Sequence, residues 1–173
     1  MTEFQSPRLI VIMGVCGSGK STLAQALALR FGYHYLDADD YHTLQCKEQM
    51  HLGIPLDDEN RAAWIERMSV IIDELADKGT SCVLAYSGIR RAQRRRILGA
   101  RFQTIGFMLT GSRECLDARM HARSDHFMSP LLLDSQLQSM QAPEPDEKIT
   151  LLDCARPINS LVAMVEDMLA SLE

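Results

Sequence analysis

Two hydrophobic periods alternate along the chain, and the switches between them outline a fold. Leu9-Ile-Val-Ile-Met13 is a short apolar run, rich in β-branched residues and closed by a glycine, the pattern of a strand buried on both faces. From Ser21 to Phe31 the period becomes helical, with Leu23, Leu27 and Phe31 four apart and Gly32 placed to stop the helix. Tyr33-His-Tyr-Leu-Asp37 predicts a second strand. Asp57 or Asp58 is positioned to cap a helix whose stripe is Trp64, Met68, Ile71, Ile72 and Leu75, ended by Gly79. Ser81 to Tyr86 and Gln103 to Leu109 predict strands three and four. Arg113 to Arg123 and Leu131 to Met140 predict helices, and Lys148 to Leu152 predicts a fifth strand. The last helix carries Leu161, Val162, Val165, Met168, Leu169 and Leu172. Strands separated by helices imply right-handed crossovers, hence a parallel sheet in an α/β fold with helices on both faces. Two stretches break the alternation, His42 to Pro55 and Ser124 to Pro130. Both are expected to be irregular insertions at strand ends, where such sheets place substrate loops and lids.

Composition narrows the picture. The 173 residues suit one domain spanning the chain, and 46% hydrophobic with 24% charged residues is ordinary globular usage. The net charge of −5 argues against a general nucleic-acid binder. No apolar run has the length of a membrane span, and Met1 to Arg8 lacks the hydrophobic stretch of a signal peptide. The five cysteines are scattered and never spaced as Cys-x-x-Cys, so they read as reduced thiols of a cytoplasmic protein.

The chemistry is concentrated after the first strand. Gly14-Val15-Cys16-Gly17-Ser18-Gly19-Lys20-Ser21 satisfies G-x-x-x-x-G-K-[ST], with Thr22 following inside the helix. Glycines let successive N–H groups turn inward as a nest for anionic oxygens, and the helix adds its positive end. Lys20 supplies a point charge to the β- and γ-phosphates, and the Ser21 hydroxyl suits Mg²⁺. Asp37 and Asp39 close the second strand; at i and i+2 both are expected on one face, in the cleft beside the phosphate loop. One would hold the metal through water and the other orient or deprotonate an attacking hydroxyl. Asp40 has the wrong parity. Arg119, Arg123 and His126 follow i, i+4, i+7, one helix face suited to a lid over a triphosphate. The run Arg90-Arg91-Ala-Gln-Arg94-Arg95-Arg96 reads first as a solvated helix surface; the sharper reading has Arg90 or Arg94, near the end of strand three, meeting an anionic substrate. Trp64 reads as core packing, and His34 and His121 receive no role.

Taken together, these residues resemble the gluconokinases of the shikimate/gluconate kinase group. The resemblance rests on the phosphate loop, Tyr35-Leu-Asp-Ala-Asp39, His42 and Met50-x-x-Gly53-x-Pro55-Leu56-x-Asp58-x-x-Arg61-x-x-Trp64. It continues through Ser87, Arg94, Arg119-x-x-x-Arg123-x-x-His126-Phe127 and Ser135-Gln136, nearly the whole chain. It implies a P-loop kinase with sheet order 2-3-1-4-5, a substrate-binding region near residues 40–75 and a lid near 112–130. It implies ATP- and Mg²⁺-dependent phosphorylation of a sugar acid, D-gluconate to 6-phosphogluconate, and often a homodimer. On this reading Lys20, Asp39 and Arg123 carry the transfer, and Arg119 joins Gly14 to Thr22 on the nucleotide. Ser21 and Asp37 hold the metal. Asp39, His42, Arg61, Arg90 and His126 receive the sugar acid. Two segments depart from the family pattern. His-Pro-x-x-Asn-x-x-Lys-Met reads His42-Thr43-x-x-Cys46-x-x-Gln49-Met50, and Cys-Ser-Ala-Leu-Lys reads Tyr86-Ser87-Gly88-Ile89-Arg90. The alternatives are a kinase for another small hydroxyl-bearing metabolite and a non-catalytic nucleotide-binding regulator.

Overall fold

The structure is a computed structural model that describes residues 7–99, 102–122 and 131–172. Strand β1 (Arg8–Met13) is central, and its alternate residues serve two cores. Ile10 and Ile12 join one buried cluster, and Leu9, Val11 and Met13 join the other. Successive strand side chains point to opposite faces, so an unbroken apolar run is what a strand covered on both sides requires. β1 pairs in parallel with β3 (Cys82–Tyr86) on one side and β4 (Gln103–Thr110) on the other. β2 (His34–Asp37) and β5 (Thr150–Asp153) complete a parallel sheet of order β2-β3-β1-β4-β5, as the resemblance implied.

Helix α1 (Lys20–Phe31) buries Leu23 and Leu27 in the first cluster together with Leu161, Val165 and Leu169 of α7 (Ile158–Ala170). The opposite cluster holds Trp64, Met68 and Ile72 of α3 (Asp58–Asp77) and Ile97 of α4 (Arg91–Leu98). Asp57 caps α3, its carboxylate accepting from the Asn60 N–H at 2.7 Å. α5 (Arg113–His121) follows β4, and α6 (Leu131–Ser139) precedes β5. The carboxyl ends of β1, β2 and β3 lie at one end of the parallel sheet, and the connections that follow β1 and its neighbour β4 depart in opposite directions, the arrangement that opens a crevice there.

The expected irregular stretch from His42 to Pro55 contains a helix, α2 (Leu44–His51). Thr43 caps it by accepting from the Cys46 N–H at 3.2 Å, and only Cys46 and Met50 are buried. A stripe of two residues is too short to register as a period, while the cap was readable. No described helix is long and apolar enough to cross a membrane.

Candidate active site

The loop from Gly14 to Gly19 turns the chain from β1 into α1. Gly17 and Gly19 have φ of 80° and 93°, the left-handed region that glycine alone enters freely. A Cβ on Gly17 would lie 2.8 Å from the Leu116 carbonyl oxygen, so no larger residue fits there. Gly19 is the N-cap of α1 and offers no side-chain cap, which leaves the first amides of the helix open to an anion. Lys20 is buried beside them and forms no ion pair among the described residues. The Ser18 hydroxyl is buried without a hydrogen-bond partner. Open amides, a buried cation and an orphaned hydroxyl make a cradle that fits a phosphate chain. Ser21 Oγ donates to Asp37 Oδ2 at 2.8 Å, which sets two oxygen ligands side by side at its edge. No cluster of three or more His, Cys, Asp or Glu that would hold a metal occurs among the described residues. The hydroxyl and carboxylate of this pair fit Mg²⁺, which takes few protein carboxylates and completes its shell from phosphates and water.

Asp37 and Asp39 do not share a strand face. β2 ends at Asp37, whose Oδ1 accepts from the Asp39 N–H at 3.0 Å and starts a 3₁₀ turn, Ala38–Tyr41. An aspartate that caps the backbone two residues on competes with the strand ladder, and parity is lost there. The two carboxylates part as a result. Asp37 stays with Ser21 and the Tyr35 hydroxyl, which donates to it at 2.8 Å. Asp39 is buried in a separate pocket, with Oδ2 unpartnered. Burial pushes its pKa up to about 6; Asp37 and Asp40 add to the rise, while Lys20 and Lys47 oppose it.

That pocket also receives His42, Arg61 and Trp64, with Ser87 and Ile89 from the exit of β3 and Ser135, Gln136 and Ser139 from α6. His42 stacks on Trp64 at 4.2 Å between ring centroids. Its Nε2 lies 3.9 Å from Asp39 Oδ1, close enough for an ion pair. Burial and the cations Arg67, Lys47 and Arg61 nevertheless pull its pKa down to about 4, so near neutral pH it is an uncharged ring. Arg61 donates through Nη2 to the Leu56 carbonyl at 2.9 Å, and its Nη1 is buried without a hydrogen bond. Asp39, His42 and Arg61, which line one pocket, thus each carry a buried polar atom without a hydrogen bond, although Arg61 Nη1 also lies 4.0 Å from Asp58 Oδ1. Native interiors rarely leave such atoms unmatched, and a polar ligand is an ordinary reason for several together.

Comparison with known proteins adds the family. A family model described as an AAA domain matches residues 9–143. The chain is 36% identical to the "Probable gluconokinase" of Xenopus tropicalis over 173 aligned positions, covering 91% of each protein. It belongs to the gluconokinase family. An unliganded sugar kinase from Janibacter sp. HTCC2649 superposes with a TM-score of 0.89 at 35% identity, covering 95% of both chains. A gluconokinase from Sinorhizobium meliloti 1021 gives 0.79 at 31% identity, covering 97% of this chain and 94% of that one. The family places the chain among the P-loop small-molecule kinases, and the regulator alternative is not favoured.

Within this gluconokinase-family chain the arginines divide. Arg119 reaches from α5 to the Ser18 carbonyl at 3.2 Å and the Cys154 carbonyl at 2.6 Å, which ties the phosphate loop to the exit of β5. A cleft beside it is lined by Gly17, Gly19, Thr22, Arg156 and Ile158. Arg90 does not line the Asp39 pocket; its Nε is buried without a hydrogen bond, and its charge adds to burial in lowering the pKa of Arg61. Arg94 is neither a solvated surface residue nor a substrate contact. It is fully buried and paired through Nε and Nη2 with both oxygens of Glu147, at 2.7 and 2.8 Å. Arg123 and His126 lie outside the described residues. Trp64 packs in the core as expected, and its ring also forms the floor under His42. Sequence reasoning gave no role to Gln136, Ser135 or Ser139. Their signal was three polar residues at i, i+1 and i+4 on a helix that otherwise buries leucines.

Proposed function

We propose that this chain transfers the terminal phosphoryl group of ATP to a hydroxyl of D-gluconate. The observation that carries the reading is the pocket in which Asp39, His42 and Arg61 present unsatisfied polar atoms beside the phosphate cradle. The family supports the acceptor, since its named members are gluconokinases. Arg61 supplies a desolvated cation for the sugar-acid carboxylate, with Arg90 behind it to reinforce the positive field. His42, neutral, offers a ring nitrogen to a hydroxyl. Asp39 accepts the proton of the attacking hydroxyl. With a pKa near 6 it is ionised at neutral pH yet basic enough to take that proton as the bond forms.

Amides at the start of α1 and the Lys20 ammonium hold the phosphates, and they stabilise the charge spread over the moving group. Ser21 and Asp37 would hold Mg²⁺, which when bound neutralises charge on the phosphate oxygens. Arg119 steadies the loop beside the nucleotide cleft, and on the resemblance Arg123 takes part in the transfer and His126 in holding the sugar acid. A coupled assay of ADP release tests the reading: turnover at millimolar gluconate is expected. Absence of turnover, with ATP binding intact by calorimetry, would refute gluconate as acceptor. A panel of other hydroxy acids then probes the altered wall from Tyr86 to Arg90.

A further inference from the structure

One contact joins the phosphate loop to the acceptor pocket directly. The backbone N–H of Cys16, the third residue of the loop, donates to Gln136 Oε1 at 2.7 Å across 120 positions of sequence. An N–H can only face the oxygen of an amide, so this bond settles which way the Gln136 side chain is turned. Its Nε2, with two donors, is left without a hydrogen-bond partner among the described residues, on a residue that lines the pocket with Ser135 and Ser139. Asp39 Oδ2 lines the same pocket and is an acceptor without a donor.

We infer that Gln136 is an acceptor-binding residue, one that measures the distance between the acceptor and the phosphate chain. Its planar amide is a rigid spacer, anchored by oxygen to the loop that grips the phosphates and donating by nitrogen to an acceptor hydroxyl. A hydroxyl both donates and accepts, so it satisfies Asp39 and Gln136 at once. An ammonium group in its place has no lone pair for the Gln136 N–H, which selects for alcohols over amines. The inference rests on the kinase reading above and deepens it.

Gln136 is half-buried, so Gln136→Met keeps its length and removes both hydrogen bonds without opening the core. Gln136→Glu keeps an oxygen for Cys16 and removes the donors. With gluconate as acceptor, kcat/KM is expected to fall about 10- to 100-fold in the Met variant and at least as far in the Glu variant. In the Met variant, ATP affinity by calorimetry is expected to fall far less than kcat/KM, and the melting temperature to drop by only a few degrees, the cost of taking this acceptor from the buried Cys16 N–H. Three results overturn the inference while leaving the kinase reading in place: an unaffected Met variant, rescue by the Glu variant, or a Met variant that loses ATP affinity in step with turnover. A wild-type protein that binds ATP but never turns over gluconate overturns the acceptor reading and this inference with it.

Discussion

Removing Arg94 should unfold this protein more readily than removing any surface charge, and the geometry sets the scale. The guanidinium is 0% exposed and the Glu147 carboxylate 1% exposed. Besides the paired bonds to Glu147, Arg94 Nη1 donates to the carbonyls of Gly88 and Gln141, each at 2.8 Å. Arg94→Met therefore leaves a buried carboxylate with the Glu144 N–H at 2.9 Å and the Arg91 guanidinium at 3.7 Å but without its bidentate partner, and it takes the donor from two backbone oxygens. Breaking a buried pair from one side costs about 3–5 kcal/mol, against about 0–1 for an exposed pair. For a chain of this size that is a fall of roughly 6–20 °C in melting temperature. Urea denaturation of wild type, Arg94→Met, Glu147→Leu and the double variant gives the coupling. The double variant should recover much of the loss, because an apolar pair leaves no unpaired charge. The same bonds clamp the β3 exit, whose Ser87 and Ile89 line the acceptor pocket, to the segment after α6. At permissive temperature, KM for the acceptor should therefore rise while ATP affinity holds. Arg94 also holds the Glu147 carboxyl below the usual carboxylate range. A depressed folded pKa gives stability present above the unfolded value, about 4.3, and lost as pH falls through the folded one. Wild type should thus lose stability in acid more steeply than Glu147→Leu. A loss below about 1 kcal/mol for Arg94→Met, the scale of a surface pair, would refute the reasoning.

Three further outcomes are expected. Asp39→Asn should reduce phosphoryl transfer about 10²-fold or more, with ATP affinity retained. Because burial raises the Asp39 pKa to about 6, the wild-type carboxylate costs stability above that pH, so the Asn variant should melt higher at pH 8 than wild type. His42→Phe tests the opposite sign: a His held down at about 4 gives stability that is complete above its unfolded pKa of about 6.5 and is lost as pH falls toward 4. Denaturation between pH 7 and 4 should show that loss, about 2–3 kcal/mol, in wild type and not in the variant. Gly17→Ala places a methyl 2.8 Å from the Leu116 carbonyl in a left-handed backbone, and calorimetry should find ATP binding weakened at least tenfold, by about 1.4 kcal/mol.

Features that depend on neighbours along the chain were legible in the residues alone. The β1 run, the α1 stripe, the glycine stop at Gly32 and the Gly14–Ser21 loop are written in consecutive residues, and their backbone physics is local. The sheet order followed from resemblance and agrees with the structure. The remaining features needed the folded chain, because each turns on a partner far away or on a competition between local bonds. Arg94 sits in a run that reads as solvated, and its burial depends on Glu147, 53 residues on. Asp37 and Asp39 part because one caps the turn that carries the other. Gln136 meets Cys16 only when α6 folds over the phosphate loop. Periodicity records which face of an element is apolar; it does not record which distant polar group will be buried against which, and in this chain those pairings shape the pocket around Asp39.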